Sequence, residues 1–72
     1  MVNTELLMDT IKNKNESVES VARRIGIDKS TLYRKIAKGG KSITLQEADA
    51  IKKDLSLDKE TAEKIFFADE LA

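Results

Sequence analysis

Lys29, Ser30, Tyr33 and Arg34 are the residues of this chain best suited to chemistry, and their spacing puts them on one face of a helix. Together they offer a guanidinium, an ammonium and two hydroxyls to whatever lies opposite. A planar guanidinium grips two acceptors at once, as guanine presents with O6 and N7, and a lysine reaches the same pair. Ser30 is short and adaptable, while Tyr33 can lay its ring on a thymine methyl or turn its hydroxyl to a phosphate. The chemistry this predicts is recognition of a base-pair edge beside a polyanion. The plain alternatives are a solvated charged face for Lys29 and Arg34 and an exposed amphipathic ring for Tyr33.

The elements needed to present that face are legible around it. Val18, Val21, Ala22 and Ile25 recur at i, i+3, i+4 and i+7, the apolar stripe of a short helix. Gly26 stops that helix, since glycine adopts the left-handed conformation at a C-terminus without steric cost. Asp28 follows as an N-cap for the next helix, whose buried pair is Leu32 and Ile36. Ala22 is small where the helices approach, and Ile27 plugs the corner. Two helices crossing steeply over so short a turn form a helix-turn-helix, about residues 17–38, which sets its second helix in the major groove of DNA. Lys29, Ser30, Tyr33 and Arg34 are therefore expected to contact bases. Phosphate contacts are expected from Thr31, Lys35, Lys38, Lys41, Ser42, Thr44 and Arg23. Among these, the glycine loop and the free amides at the Thr44 helix start would form an anion site. Arg24 is expected to pair with Glu19 or Asp28 as readily as with a phosphate.

The stretch Val21-Ala22-Arg23-Arg24-Ile25-Gly26-Ile27, followed by Lys29-Ser30-Thr31-Leu32 and Arg34, resembles the small Cro/cI (Xre-type) phage regulators. The resemblance spans about residues 3–67, and its most specific part is Ala22, Gly26 and Leu32 at spacings of four and six. It implies an all-α, five-helix, lambda-repressor-like domain that occupies a double-stranded DNA operator as a homodimer. It also implies a repressor of phage or mobile-element type. Two positions depart from the family pattern. Glutamine commonly opens the first motif helix there and touches DNA; Val18 stands here, so that contact is not carried over. The family also buries the residue three after Leu32, which here is Lys35, with Ile36 expected to take its place.

Residues 1–72 read as a single domain. The first helix runs from a cap at Asn3 or Thr4 to about Asn13, with Leu7 and Ile11 inward and Leu6 or Met8 beside them. Asn15 or Ser17 caps the second. After the motif, Lys38 to Ser42 form a loop with accessible glycine amides, and Ile43 drops into the core. Thr44-Leu45-Gln46-Glu47 matches a capping box ahead of a helix with Leu45, Ala48, Ile51 and Leu55 inward. Ser56-Leu57 is a link, and Asp58 caps a fifth helix with Ala62, Ile65 and Phe66 on one face. Phe67 lies about 100° from Phe66 on that helix. It and Leu71 are the expected dimer contacts, the alternative for Phe67 being packing on the first helix.

Composition excludes much else. The chain has no cysteine and no histidine, which removes disulfides, thiolate zinc sites and the usual neutral-pH general base. No catalytic residue, metal, cofactor or small-molecule ligand is expected. No apolar run is long enough to span a membrane and no signal peptide is evident, which predicts a cytoplasmic protein. With 36% charged residues the net charge is zero, but the charges are not spread evenly. Residues 23–43 stand at +6, while residues 1–22 stand at −2 and 44–72 at −4. That asymmetry is the electrostatic footprint of a nucleic-acid-binding face. A protein-docking module that keeps the fold, and an architectural DNA binder without sequence preference, are the competing readings.

Overall fold

The computed structural model describes residues 2–68, and within them the chain is all helical. Its helices are α1 (Thr4–Asn13), α2 (Val18–Ile25), α3 (Lys29–Ala37), α4 (Leu45–Asp54) and α5 (Lys59–Phe66). Each begins at a side-chain cap. Asn3, Ser17, Asp28, Thr44 and Asp58 each accept a hydrogen bond from a first-turn amide. Ser17 rather than Asn15 caps α2, in a reciprocal box with Ser20. Asn15 instead occupies the left-handed turn before it, at φ 58°.

The apolar stripes meet in one core. Leu7 and Ile11 of α1, Val18, Val21 and Ala22 of α2, Leu32 of α3 and Ile51 of α4 are all essentially inaccessible. Leu55, Leu57, Ala62, Ile65 and Phe66 complete the cluster. α2 is the hub, packing on both α3 and α4, while α1 packs on α5. The Asn3 amide donates to the Ile65 carbonyl at 2.6 Å, tying the start of α1 to the end of α5. Burying a leucine fully is worth about 1.5–3 kcal/mol, so Leu7 and Leu32 are among the strongest single contributors.

Three expectations change here. Leu45 is 74% exposed rather than inward. It is the first residue of α4, and the buried positions Ile51 and Leu55 lie farther along the chain. The glycine amides are not accessible: Gly39 N–H donates to Ile36 and Gly40 N–H to the Lys35 carbonyl, closing the end of α3. Gly40 has φ +77° and is covered by Val2, whose Cβ would lie 2.5 Å from any Cβ added there. Finally, Ile36 packs against the core as expected but does not bury fully, and Lys35 is drawn in beside it. Both are partly buried, and Lys35 brings a carboxylate with it. Ile43 and Leu6 are half-buried against the core, whereas Met8 is exposed.

Candidate nucleic-acid interface

α3 is held by what lies beneath it. Leu32 is fully buried against Val21 and Ala22, also fully buried, which fixes the rotation of α3 about its own axis. The connection is three residues long. Gly26 takes φ 85°, Ile27 N–H donates back to the Ala22 carbonyl at 3.0 Å, and the Asp28 carboxylate accepts from Ser30 N–H at 2.7 Å. With Leu32 turned inward, Lys29, Ser30, Tyr33, Arg34 and Ala37 are all exposed. They form one stripe at i, i+1, i+4, i+5 and i+8. The four residues predicted to read bases are thus brought together. Ala37 extends the stripe and was not predicted; its i+8 spacing from Lys29 was the available signal. Thr31, beside the stripe, is half-buried.

The charges of the basic segment divide into two sets. Arg24 is held from two sides: its Nε and Nη2 donate to Asp54 at 2.7 and 3.0 Å, and Nη2 lies 3.0 Å from Glu16. These bonds, Asp54 first, hold the guanidinium pKa above its ordinary value. Glu16 is correspondingly held below the usual carboxylate range, chiefly by the Ser20 hydroxyl and then by Arg24. The expected partners Glu19 and Asp28 are therefore not the ones Arg24 uses. Glu19 instead lies 3.6 Å from Lys29, both half exposed, a pair too loose to fix either side chain.

Lys35 is the second internal cation, and its expected phosphate role is corrected. Its Nζ lies 2.8 and 2.7 Å from the two Glu47 oxygens, with both side chains only 17% exposed. Glu47 also accepts from Thr44 N–H at 2.9 Å, and Thr44 Oγ1 accepts from Glu47 N–H at 3.0 Å. Burial pushes the Glu47 carboxyl up, but Lys35 and Thr44 outweigh it and leave the group below its ordinary value. The N-terminus of α4, expected to bind phosphate through Thr44, already carries the chain's own carboxylate. Thr44 is engaged in that box.

The other set points outward. Arg23, Arg34, Lys38 and Lys41 make no ion pair among the described residues and are exposed. Ser42 is exposed beside Lys41 in the turn that follows α3. Val18 is 2% exposed and its side chain belongs to the core.

Two further features bear on function. An apolar groove of about 270 Å³ runs between α4 and α5, with Ala48, Ala62 and Phe66 at its base and Leu45 and Phe67 at its edges. Phe67 is 40% exposed; Leu71 lies outside the described residues. No group of three or more potential metal ligands occurs among the described residues, and none of their helices is long and apolar enough to cross a membrane. No family model, curated protein or solved structure matches this chain.

Proposed function

We propose that this chain is a sequence-specific double-stranded DNA-binding regulator of the lambda-repressor-like, Cro/cI (Xre) type, and that it occupies an operator as a homodimer. The observation that carries the reading is the exposed stripe of Lys29, Ser30, Tyr33 and Arg34 on α3. That stripe is held in rotation by fully buried Leu32 and accompanied by Arg23, Lys38 and Lys41, which make no ion pair among the described residues, on a protein of zero net charge. Arg34 reads a guanine, Lys29 and Tyr33 extend the contact, and Arg23, Lys38, Lys41 and Ser42 hold phosphates. Regulation then follows from occupancy of the site, and the repressor sense and phage or mobile-element setting come from the resemblance. No catalytic role is proposed.

The test is selection of binding sites from a random duplex pool, followed by titration of the enriched site with wild type and Arg34→Ala. Loss of the bidentate contact should cost ~1–3 kcal/mol of discrimination at one guanine. Arg34 is exposed, so folding should not change. Enrichment of no sequence, or unchanged guanine preference in the variant, contradicts the reading. One observation favours a protein-docking module instead, namely the groove edged by Leu45 and Phe67. In that case Arg34→Ala would leave binding to the partner intact.

A further inference from the structure

Resting on the DNA reading proposed above, we infer that Glu47 is a positioning residue for base recognition: it touches no DNA, but through Lys35 it fixes the roll of α3 and so the aim of Arg34. Leu32 is the one fully buried side chain of α3. A helix held along a single inward line can roll about that line. Ile36, on nearly the same line, is only partly buried and adds little resistance. Lys35 is placed differently. Round the helix it lies about 60° from Leu32 and about 100° from Arg34, on the flank between the buried line and the reading face. A tether at that position opposes roll, and Lys35 directly follows Arg34, so whatever holds the one backbone holds the other.

The tether ends on a fixed point. Glu47 accepts from Thr44 N–H at 2.9 Å and donates its own N–H to Thr44 Oγ1 at 3.0 Å, while Ile51, one turn on, is 1% exposed and seats α4 in the core. Both Glu47 oxygens take Lys35 Nζ, at 2.8 and 2.7 Å, with each side chain 17% exposed. At the other end of α3 the Lys29–Glu19 pair is 3.6 Å long and half exposed, and it steadies nothing. An ion pair withdrawn from water adds little stability beyond what a well-packed apolar pair would give; what it imposes is a defined geometry. Base reading needs that geometry, because a recognition contact tolerates only about 0.5 Å and 10–20° of misplacement.

The test is anisotropy with the duplex enriched by wild type and with the same duplex altered at the guanine that Arg34 reads. It is run at a temperature where circular dichroism shows every variant fully folded. A bidentate contact supplies roughly 5- to 150-fold preference for guanine. Glu47→Gln and Lys35→Met should each lose on the order of 5-fold of that preference, and the double variant no more than either alone. Added to Arg34→Ala, neither should change guanine preference further, because the side chain they aim is gone. Thr44→Ala is the structural control: it weakens the α4 cap but leaves the Glu47 carboxylate on Lys35, and it should keep the wild-type preference. Pair variants that keep that preference, or a Thr44→Ala that loses as much as they do, would overturn the inference while the DNA reading stands. A wild type that enriches no sequence overturns the DNA reading and this inference with it.

Discussion

Glu47 holds two parts of the scaffold with one carboxylate, and replacing it separates them. Glu47→Gln keeps an oxygen that can accept from Thr44 N–H, because glutamine serves in a capping box, but it removes the charge facing Lys35. Glu47→Ala removes both. The pair lies between two reference cases: exposed pairs are worth ~0.2–1 kcal/mol, whereas stranding a fully buried charge costs ~3–5 kcal/mol. With each side chain 17% exposed and Lys35 able to reach water, the glutamine variant should lose about 1 kcal/mol. The alanine variant should lose roughly 1 kcal/mol more for the cap. Lys35→Met should also lose about 1 kcal/mol, since it leaves the part-buried Glu47 carboxylate without its cation. Urea denaturation followed by far-ultraviolet circular dichroism resolves this; at ~1 kcal/mol per molar urea for so small a domain, the midpoint moves by about 1 M. The pH dependence supplies a second signature. The Glu47 carboxyl is depressed in the folded state, so its stabilisation is present above its unfolded value of about 4.3 and is lost as pH falls through the folded value. Glu47→Gln should therefore flatten part of the acid limb of the stability profile. A glutamine variant within about 0.5 kcal/mol of wild type at neutral pH, the scale of an ordinary surface change, would refute the strut.

Two further outcomes follow from the same structure. Replacing Lys38 and Lys41 by glutamine should weaken binding to all duplexes alike and reduce the salt slope by ~0.9 for each lost phosphate contact, leaving the preferred sequence unchanged; a changed preference would place these lysines at bases. Ser56 is a non-glycine residue at φ 53° where α4 ends, with Leu57 N–H reaching back to the Lys52 carbonyl. Ser56→Gly should relieve that left-handed strain and raise stability by about 0.5–1 kcal/mol in thermal or urea melts; a loss of stability would show that the hydroxyl matters more than the backbone.

Most of the helices could be read from the chain because their signals are local. Gly26 and Asp28 delimit the motif turn through a positive φ and a cap, both set by the residue's own chemistry. The stripe of Val18, Val21 and Ala22 announces a buried face within a single helix. Leu45 shows where periodicity stops. Its spacing from Ala48 places it on the inward stripe, yet a stripe says nothing about how far the neighbouring helix extends, and Leu45 is left 74% exposed. Lys35 and Arg24 fail for a related reason. Reading locally pairs Arg24 with Glu19 or Asp28, but its strongest partner, Asp54, is thirty residues away. Glu47 stands twelve residues from Lys35. Burial of a lysine becomes intelligible only once that carboxylate is known to sit above it. The stripe on α3 was legible because it is what remains when Leu32 is turned inward.

The division of the cations explains how a protein of zero net charge can present a positive face. The acidic residues of the flanking segments are not simply turned away from the basic stretch. Glu16, Asp54 and Glu47 reach into it and neutralise Arg24 and Lys35, and both cations thereby become struts joining α2 and α3 to α4. Within residues 23–43, the cations that make no ion pair among the described residues are Arg23, Arg34, Lys38 and Lys41. On the proposed DNA reading, so few free cations would neutralise few phosphates, and the salt-sensitive, sequence-independent share of affinity would be small. Discrimination would then rest on base contacts by Lys29, Ser30, Tyr33 and Arg34, and a single such stripe would address only a few base pairs. Two copies reading two half-sites would multiply that discrimination without adding surface charge.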